Sequence, residues 1–376
     1  MTSGDQVRDA FVNRLFASAV GTMDIFTIYL GDRLGLYRAL ATAGPLTPGE
    51  LGERAGVNTR YAREWLEQQA ATGILEVDDV AANKDDRRFT LPVAHAAALI
   101  DPESPHAMAA MCRSLAALGG VLPKLVEVYR TGEGLSVEGV DAVEAQGDFN
   151  RPWLVHSFAT DYLPLVVDVH AKLQAGGRVA DIACGVGWAA ISIARGYPAT
   201  RVDGFDFDGP AIAIARENAR IAGVDDRVTF QVRDAADAAT PQGHYDLAVI
   251  VEALHDMSNP VGVLAAVRRM LAPGGSLIVV DERVAEAFQA PASETERLFY
   301  GYSVLDCLPA GMLSQPSAET GTVMRQSTLE RYASEAGFSG VSVLPIDHDF
   351  LRFYRLDPGP NVRVRDDNEI PAMVQR

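Results

Sequence analysis

Between residues 9 and 40, apolar side chains recur every three or four positions, the spacing of one helix face, with Gly31 and Gly35 as the expected breaks. Two shorter helices follow, each with its own start signal. Thr47 stands before Pro48, an N-cap ahead of a proline at the first helical position, and Gly56 is the expected stop. Asn58 can cap the next segment, 59–72, which Gly73 ends. Segments 74–77 and 88–91 have strand character around a charged turn. Residues 96–175 read as helical and alanine-rich, with breaks expected at Asp101-Pro102, Pro105, Gly119-Gly120 and 131–139. From Arg178 the pattern changes. Continuous apolar runs at 179–183, 201–205, 228–232, 247–251 and 276–280 alternate with helical segments at 188–195, 210–222 and 260–271. Such runs predict a parallel sheet covered on both faces. Two further strand-like runs, 340–345 and 350–356, read as a closing hairpin.

Helix, turn, helix and wing in that order predict a winged-helix domain over residues 1–95. A helical connector is expected at 96–175, and an α/β domain with a Rossmann-like, mostly parallel sheet at 176–376. The stretch 284–325, rich in aromatic and methionine residues, reads as an insertion forming a lid. A length of 376 residues suits two domains.

Charge qualifies the winged helix. The chain carries 33 basic and 50 acidic side chains, a formal charge of −17. Residues 1–95 hold ten basic and thirteen acidic groups, and the second short helix sets Arg60 and Arg63 against Glu64 and Glu67. A helix that reads a DNA groove needs an excess of cations on one face, so no nucleic-acid partner is expected. Dimerisation or internal packing is the better use of Phe11, Leu15, Phe16, Met23, Phe26, Ile28 and Tyr29. Asp24 interrupts the longest apolar stretch, 15–30, so neither a membrane span nor a signal peptide is expected. Cys112, Cys184 and Cys307 are far apart, which suggests no disulfide framework, no metal site and a reducing, cytoplasmic setting.

The chemistry concentrates at the ends of the strands. The run 179–183 leads into Cys184-Gly185-Val186-Gly187 and a helix, a turn whose glycines let backbone N–H groups approach a ligand. Gly185-x-Gly187-x-x-Ala190 also fits a dinucleotide fingerprint. Asp206 ends the next strand, 21 residues after Gly185, where a carboxylate can hold both hydroxyls of an adenosine ribose. Asp234-Ala235, Glu252 with His255-Asp256, and Asp281-Glu282 follow at successive strand ends. All of them fall on one edge of such a sheet, where open α/β folds bind ligands.

Asp181-x-Ala183-x-Gly185-x-Gly187, Asp206, Asp234 and the Leu271-Ala272-Pro273-Gly274-Gly275 turn resemble the ordered motifs of class I S-adenosylmethionine (SAM)-dependent methyltransferases. The winged helix narrows the resemblance to the small-molecule O-methyltransferase type, whose N-terminal domain dimerises. One departure is visible: Ala183 stands where the family has its first glycine. The resemblance implies SAM as cofactor, a homodimer and a small-molecule acceptor. It implies a cofactor surface from Asp181, Ala183, Cys184, Gly185, Gly187, Asp206, Phe207, Asp234, Ala235 and Glu252. Gly185 and Gly187 would pass under the methionine part, Asp206 would hold the ribose, and Asp234 with Ala235 would contact the adenine. His255 would be the general base and Glu282 the carboxylate that orients it; the alternative for His255 is a helix cap or a cofactor contact. Two other functions stay open, a SAM-binding fold with non-methylating chemistry and a winged-helix regulator that senses SAM or a metabolite.

Overall fold

A computed structural model describes residues 3–137, 140–234 and 242–359. The N-terminal part comprises α1 (Ser3–Arg33), α2 (Leu36–Ala43), α3 (Pro48–Ala55), α4 (Thr59–Ala71), the antiparallel pair β1 (Glu76–Val77) and β2 (Phe89–Thr90), and α5 (Val93–Leu99). Thr47 and Glu50 form a reciprocal capping box at the start of α3, and Asn58 caps α4. Leu36, Tyr37, Leu40, Leu51, Leu66 and Phe89 close the core of this domain. Gly31 does not break α1. It lies inside the helix, where a Cβ would meet the Trp65 and Tyr37 rings at 2.5 Å, so its missing side chain serves close packing. The break falls at Gly35, in the left-handed conformation.

The connector contains α6 (Ala109–Thr131), α7 (Val140–Trp153), a wide π-helical stretch (Leu154–Tyr162) and α8 (Val167–Gln174). The break expected at Gly119-Gly120 is absent, and α6 runs straight through both glycines. A glycine costs a helix interior about 1 kcal/mol, and packing of Cys112, Leu118 and Leu125 outweighs that. Among the described residues α6 is the one helix long and apolar enough to cross a membrane; it packs against α1 and α7.

The second domain follows the expected alternation closely. Its elements are β3 (Arg178–Ile182), α9 (Trp188–Gly196), β4 (Arg201–Asp206), α10 (Gly209–Ala222), β5 (Val228–Val232), β6 (Tyr245–Val251), α11 (Pro260–Met270) and β7 (Leu271–Glu282). Then come α12 (Glu294–Tyr302), a π-helical turn (Ser303–Cys307), α13 (Leu308–Gly311), α14 (Gln326–Glu335), β8 (Gly340–Val343) and β9 (Leu351–Asp357). The seven strands lie in the order β5-β4-β3-β6-β7-β9-β8. The first five are parallel, and β9 inserts antiparallel between β7 and β8. Two apolar layers bury the two faces of the sheet, which leaves the carboxyl ends of β3, β4, β6 and β7 as one polar edge.

Candidate active site

The turn after β3 is held in a shape few side chains tolerate. Ala183, Gly185 and Gly187 have φ of 55°, 50° and 87°. A Cβ on Gly187 would meet the Phe230 ring at 2.6 Å, so glycine is required there twice over. Ala183 adopts the left-handed conformation without being glycine, at a cost of roughly 1–2 kcal/mol. Asp181 is 1% exposed and accepts a 3.0 Å hydrogen bond from the Ala190 N–H, which ties β3 to the first turn of α9. Burial pushes its carboxyl up to about 7.

Asp206 ends β4 beside this turn. Its two oxygens accept the Gly185 N–H at 2.8 Å and the Asp208 N–H at 2.9 Å. Burial raises its carboxyl, and these donors only partly offset the shift. Phe207, next in the chain, is exposed. Burial raises the Cys184 thiol well above its usual range, which makes it a packing group rather than a nucleophile. Asp234 follows β5, and the Arg233 N–H next to it donates to the Asp206 carbonyl. Ala235 lies outside the described residues.

At the end of β6, Glu252 has φ of 47° and accepts a 2.9 Å hydrogen bond from Asn150 of α7. Burial lifts its carboxyl to about 7. His255, one turn further, is 2% exposed. Its Nδ1 lies 2.9 Å from Asp281 Oδ1 and 3.1 Å from Glu282 Oε2, while Nε2 lies 3.1 Å from Asp256 Oδ1. Burial alone would lower the imidazole's affinity for a proton. Asp256, Glu282 and Asp281 override it and hold the ring well above its ordinary range. Burial raises Glu282 well above its usual value, whereas the adjacent imidazole keeps Asp281 low. Within this buried unit the carboxylates favour the protonated ring, the imidazole favours an ionised Asp281, and burial favours the protonated form of Glu282. A His255 nitrogen, an Asp256 oxygen and the Cys307 sulfur lie within 4.8 Å of one another, so the π-helical turn of the lid sits directly on the histidine.

His255 and Glu282 come together as the sequence suggested, but Asp281 is the nearer partner and was not anticipated. Side chains alternate along a strand, so neighbours 281 and 282 should face opposite ways; at the end of β7 both reach the ring. Two residues of α7 were also missed. Asn150 bonds Glu252, and the Arg151 guanidinium stacks 4.2 Å over the Trp188 ring while pairing with Glu103. Arg151 Nε and Trp188 Nε1 are both buried without a hydrogen-bond partner, two orphaned donors close to the glycine turn. No sequence signal marks them, since they reach the site across the fold from the connector.

The sheet order with its antiparallel β9, the glycine turn and the acidic strand ends define a class I methyltransferase fold behind a winged-helix domain. Comparison with known proteins agrees. Residues 179–275 match the family described as a methyltransferase domain, and residues 23–100 match the Rv2258c-like winged HTH domain. Over 109 residues the chain is 36% identical to 27-O-demethylrifamycin SV methyltransferase of Amycolatopsis mediterranei, covering 29% of this chain and 40% of that protein. Over 108 residues it is 33% identical to demethylmenaquinone methyltransferase of Thermus thermophilus, covering 29% and 48%. The chain thus spans less than half the length of these curated relatives. Among solved structures, human N-acetylserotonin methyltransferase in complex with SAM aligns with a TM-score of 0.65 at 16% identity, over 95% of this chain and 98% of that one. An N,N-8-amino-8-demethyl-D-riboflavin dimethyltransferase from Streptomyces davawensis aligns with a TM-score of 0.60 at 21% identity, over 92% and 98%. These structural likenesses extend over both domains and establish the fold.

Proposed function

We propose that this protein transfers a methyl group from SAM to a hydroxyl of a small aromatic acceptor, with His255 taking the hydroxyl proton. The observation that carries the reading is the buried His255, bracketed by carboxylates on the same sheet edge as the glycine turn and Asp206. The residues fit the cofactor. Asp206 keeps free lone pairs for ribose hydroxyls, Asp234 after the neighbouring strand serves the adenine, and the orphaned Arg151 Nε beside Trp188 offers a cation to the methionine carboxylate. SAM supplies a methyl group on a sulfonium leaving group, so the protein has two tasks: to align the acceptor and to remove its proton. Alignment can be worth about 7–11 kcal/mol.

A phenol of pKa about 10 lies about three units above neutrality, roughly 4 kcal/mol of deprotonation. A base whose own proton affinity is raised narrows that gap, and the carboxylates around His255 raise it. Asp281 and Glu282 hold Nδ1, which leaves Nε2 as the accepting atom. Asp256, the most exposed of the three carboxylates, gives way there to the acceptor hydroxyl. His255→Ala should lower turnover about 100-fold or more while SAM still binds; full turnover would remove His255 as the base.

A second reading rests on the same cluster. With both ring nitrogens engaged, a histidine that stays protonated cannot accept a proton, as in a SAM-binding fold with non-methylating chemistry. Turnover of the small molecule with SAM left intact would favour it. Regulation through DNA is disfavoured, because Arg63, Arg87 and Arg88 of the winged helix pair with Asp85, Glu67 and Glu50 at 2.6–2.9 Å. A homodimer is part of the proposal. Helix α1 exposes Val7, Phe11 and Leu15 on one face and Phe16, Val20 and Met23 on the opposite one, with Phe16 71% accessible. Apolar side chains exposed on this scale need a cover, and a second copy of the chain meets that need. A monomer by sedimentation at micromolar concentration would exclude it.

A further inference from the structure

The lid brings to His255 a sulfur that methyl transfer does not use. Cys307 ends the π-helical turn Ser303–Cys307 and is a buried, free thiol. One His255 nitrogen, one Asp256 oxygen and the Cys307 sulfur all lie within 4.8 Å of one another. Asp256 Oδ1 stands 3.1 Å from His255 Nε2, and this oxygen atom is buried and makes no hydrogen bond. On the other side of the ring Nδ1 lies 2.9 Å from Asp281 Oδ1, so a proton on Nδ1 is held there and Nε2 keeps a lone pair on the Asp256 side. The lid is fixed in this position. Ser258 Oγ and Ser317 Oγ donate to the Gly311 carbonyl at 2.6 and 2.8 Å, and the Ala318 N–H donates to the Ser258 carbonyl at 2.8 Å. A Cβ on Gly311 would meet the Asp256 carbonyl oxygen at 3.3 Å, so the lid backbone lies against the His255-Asp256 turn.

An imidazole nitrogen, a carboxylate oxygen and a sulfur that converge in this way form a donor set for Zn²⁺. Tetrahedral zinc holds nitrogen and oxygen at about 2.0–2.2 Å and sulfur at about 2.3 Å, which sets the donors about 3.4–3.6 Å apart. The 3.1 Å between Nε2 and Oδ1 is just short of that spacing, and the sulfur is within reach of both. A ligating histidine characteristically gives its other ring N–H to a carboxylate, which fixes the tautomer; Asp281 stands in that place at 2.9 Å. A thiolate and a carboxylate cancel the charge of a divalent cation, so seating it adds no net charge to a buried site. The sulfur selects against Mg²⁺ and Ca²⁺, which take oxygen ligands. No spacing motif marks the three donors, since the lid brings Cys307 to the end of β6 only in the fold.

We propose that His255 Nε2, Asp256 Oδ1 and Cys307 Sγ form a binding site for Zn²⁺, with Asp281 orienting the histidine, and that the occupied site is an off state of the enzyme. The cation takes the Nε2 lone pair that the acceptor hydroxyl needs, and it ties the lid turn to the end of β6. On binding, the Cys307 thiol releases its proton to solvent; nothing is oxidised or reduced. The off state rests on the reading of His255 as the base, whereas the binding site does not.

The test titrates the metal-free, full-length protein with Co²⁺, a stand-in for Zn²⁺ whose bond to a thiolate absorbs in the near ultraviolet. The wild type should show this band, Zn²⁺ should remove it by competition, and Mg²⁺ should not. Cys307→Ser should abolish the band and Cys112→Ser should keep it. Asp281→Asn should weaken Zn²⁺ binding by about 10–100-fold. Calorimetric binding of demethylated cofactor to each variant reports that it is folded. In turnover with SAM and a panel of phenols, Zn²⁺ should stop methyl transfer by the wild type, a chelator should restore it, and Cys307→Ser should resist the same Zn²⁺ concentration. Absence of the band in the wild type, a band that survives in Cys307→Ser, or inhibition undiminished in that variant overturns the inference. A band that depends on Cys307, with methyl transfer unaffected by Zn²⁺, upholds the binding site and refutes the base reading on which the off state rests.

Discussion

Replacing Asp206 by alanine tests the cofactor assignment at its strongest point. The side chain accepts two backbone N–H groups, from Gly185 at 2.8 Å and Asp208 at 2.9 Å, and so fixes the glycine turn relative to the end of β4. Each carboxylate oxygen retains a lone pair, and those two positions suit the two ribose hydroxyls. Hydrogen bonds to a charged acceptor contribute about 1.5–3 kcal/mol. Asp206→Ala should therefore weaken the demethylated cofactor by roughly 10- to 150-fold. The variant also leaves the two N–H groups without their acceptor, each worth about 1–3 kcal/mol where water cannot replace it, so its melting temperature should fall as well. Asp206→Asn keeps one acceptor oxygen and the shape, and should fall between wild type and alanine in both measurements. Titration calorimetry with demethylated cofactor, at a temperature where both variants stay folded, separates affinity from stability. Because burial raises the carboxyl, wild-type affinity should also decline as the pH falls towards its protonation. Unchanged affinity in Asp206→Ala would refute the assignment of Asp206 to the ribose.

Other outcomes follow from the same geometry. Only the neutral imidazole accepts a proton, and its neighbours hold His255 well above its ordinary 6.5, so turnover should rise with pH through a midpoint above that value; a profile already level at pH 6.5 would contradict this. Stability should move the opposite way, since a raised folded-state pKa stabilises below 6.5 and that contribution is lost as pH climbs through the folded value, which denaturant titrations across pH can check. Asp281→Asn should lower turnover more than Glu282→Gln and should bring the midpoint down, because Asp281 is the ionised partner at 2.9 Å; equal effects would show that the two carboxyls share the task. Ala183→Gly should stabilise the protein by about 0.5–1 kcal/mol, as relief of left-handed strain exceeds the added chain entropy. Gly187→Ala should do the reverse and impair cofactor binding, its Cβ meeting Phe230 at 2.6 Å; calorimetric melts of the two variants would test both signs.

The sheet was legible because each parallel strand is an uninterrupted apolar run followed by a polar residue that the fold brings to one edge. Asp206 and His255 could be placed for that reason, from position alone. Glycines were read less well. Gly35 and Gly56 end helices as expected, but Gly31, Gly119 and Gly120 lie inside them, since the same residue serves both breaks and close packing. At the end of β7 Glu282 was named through the resemblance and does lie beside His255, whereas Asp281 was not named, although both reach the ring where alternation fails at a strand's last residues. Asn150 and Arg151 were invisible as site residues. Each reaches the strand ends from a helical segment far along the chain, and nothing in the local pattern records such a contact.

The most direct measurement uses SAM labelled in its methyl group, wild-type protein and a panel of phenols, with product mass and demethylated cofactor followed together. Methyl transfer to a hydroxyl predicts a product heavier by one labelled methyl, formed in step with demethylated cofactor and lost in His255→Ala. Cofactor turnover without label in the product, or a labelled product undiminished in His255→Ala, would contradict it.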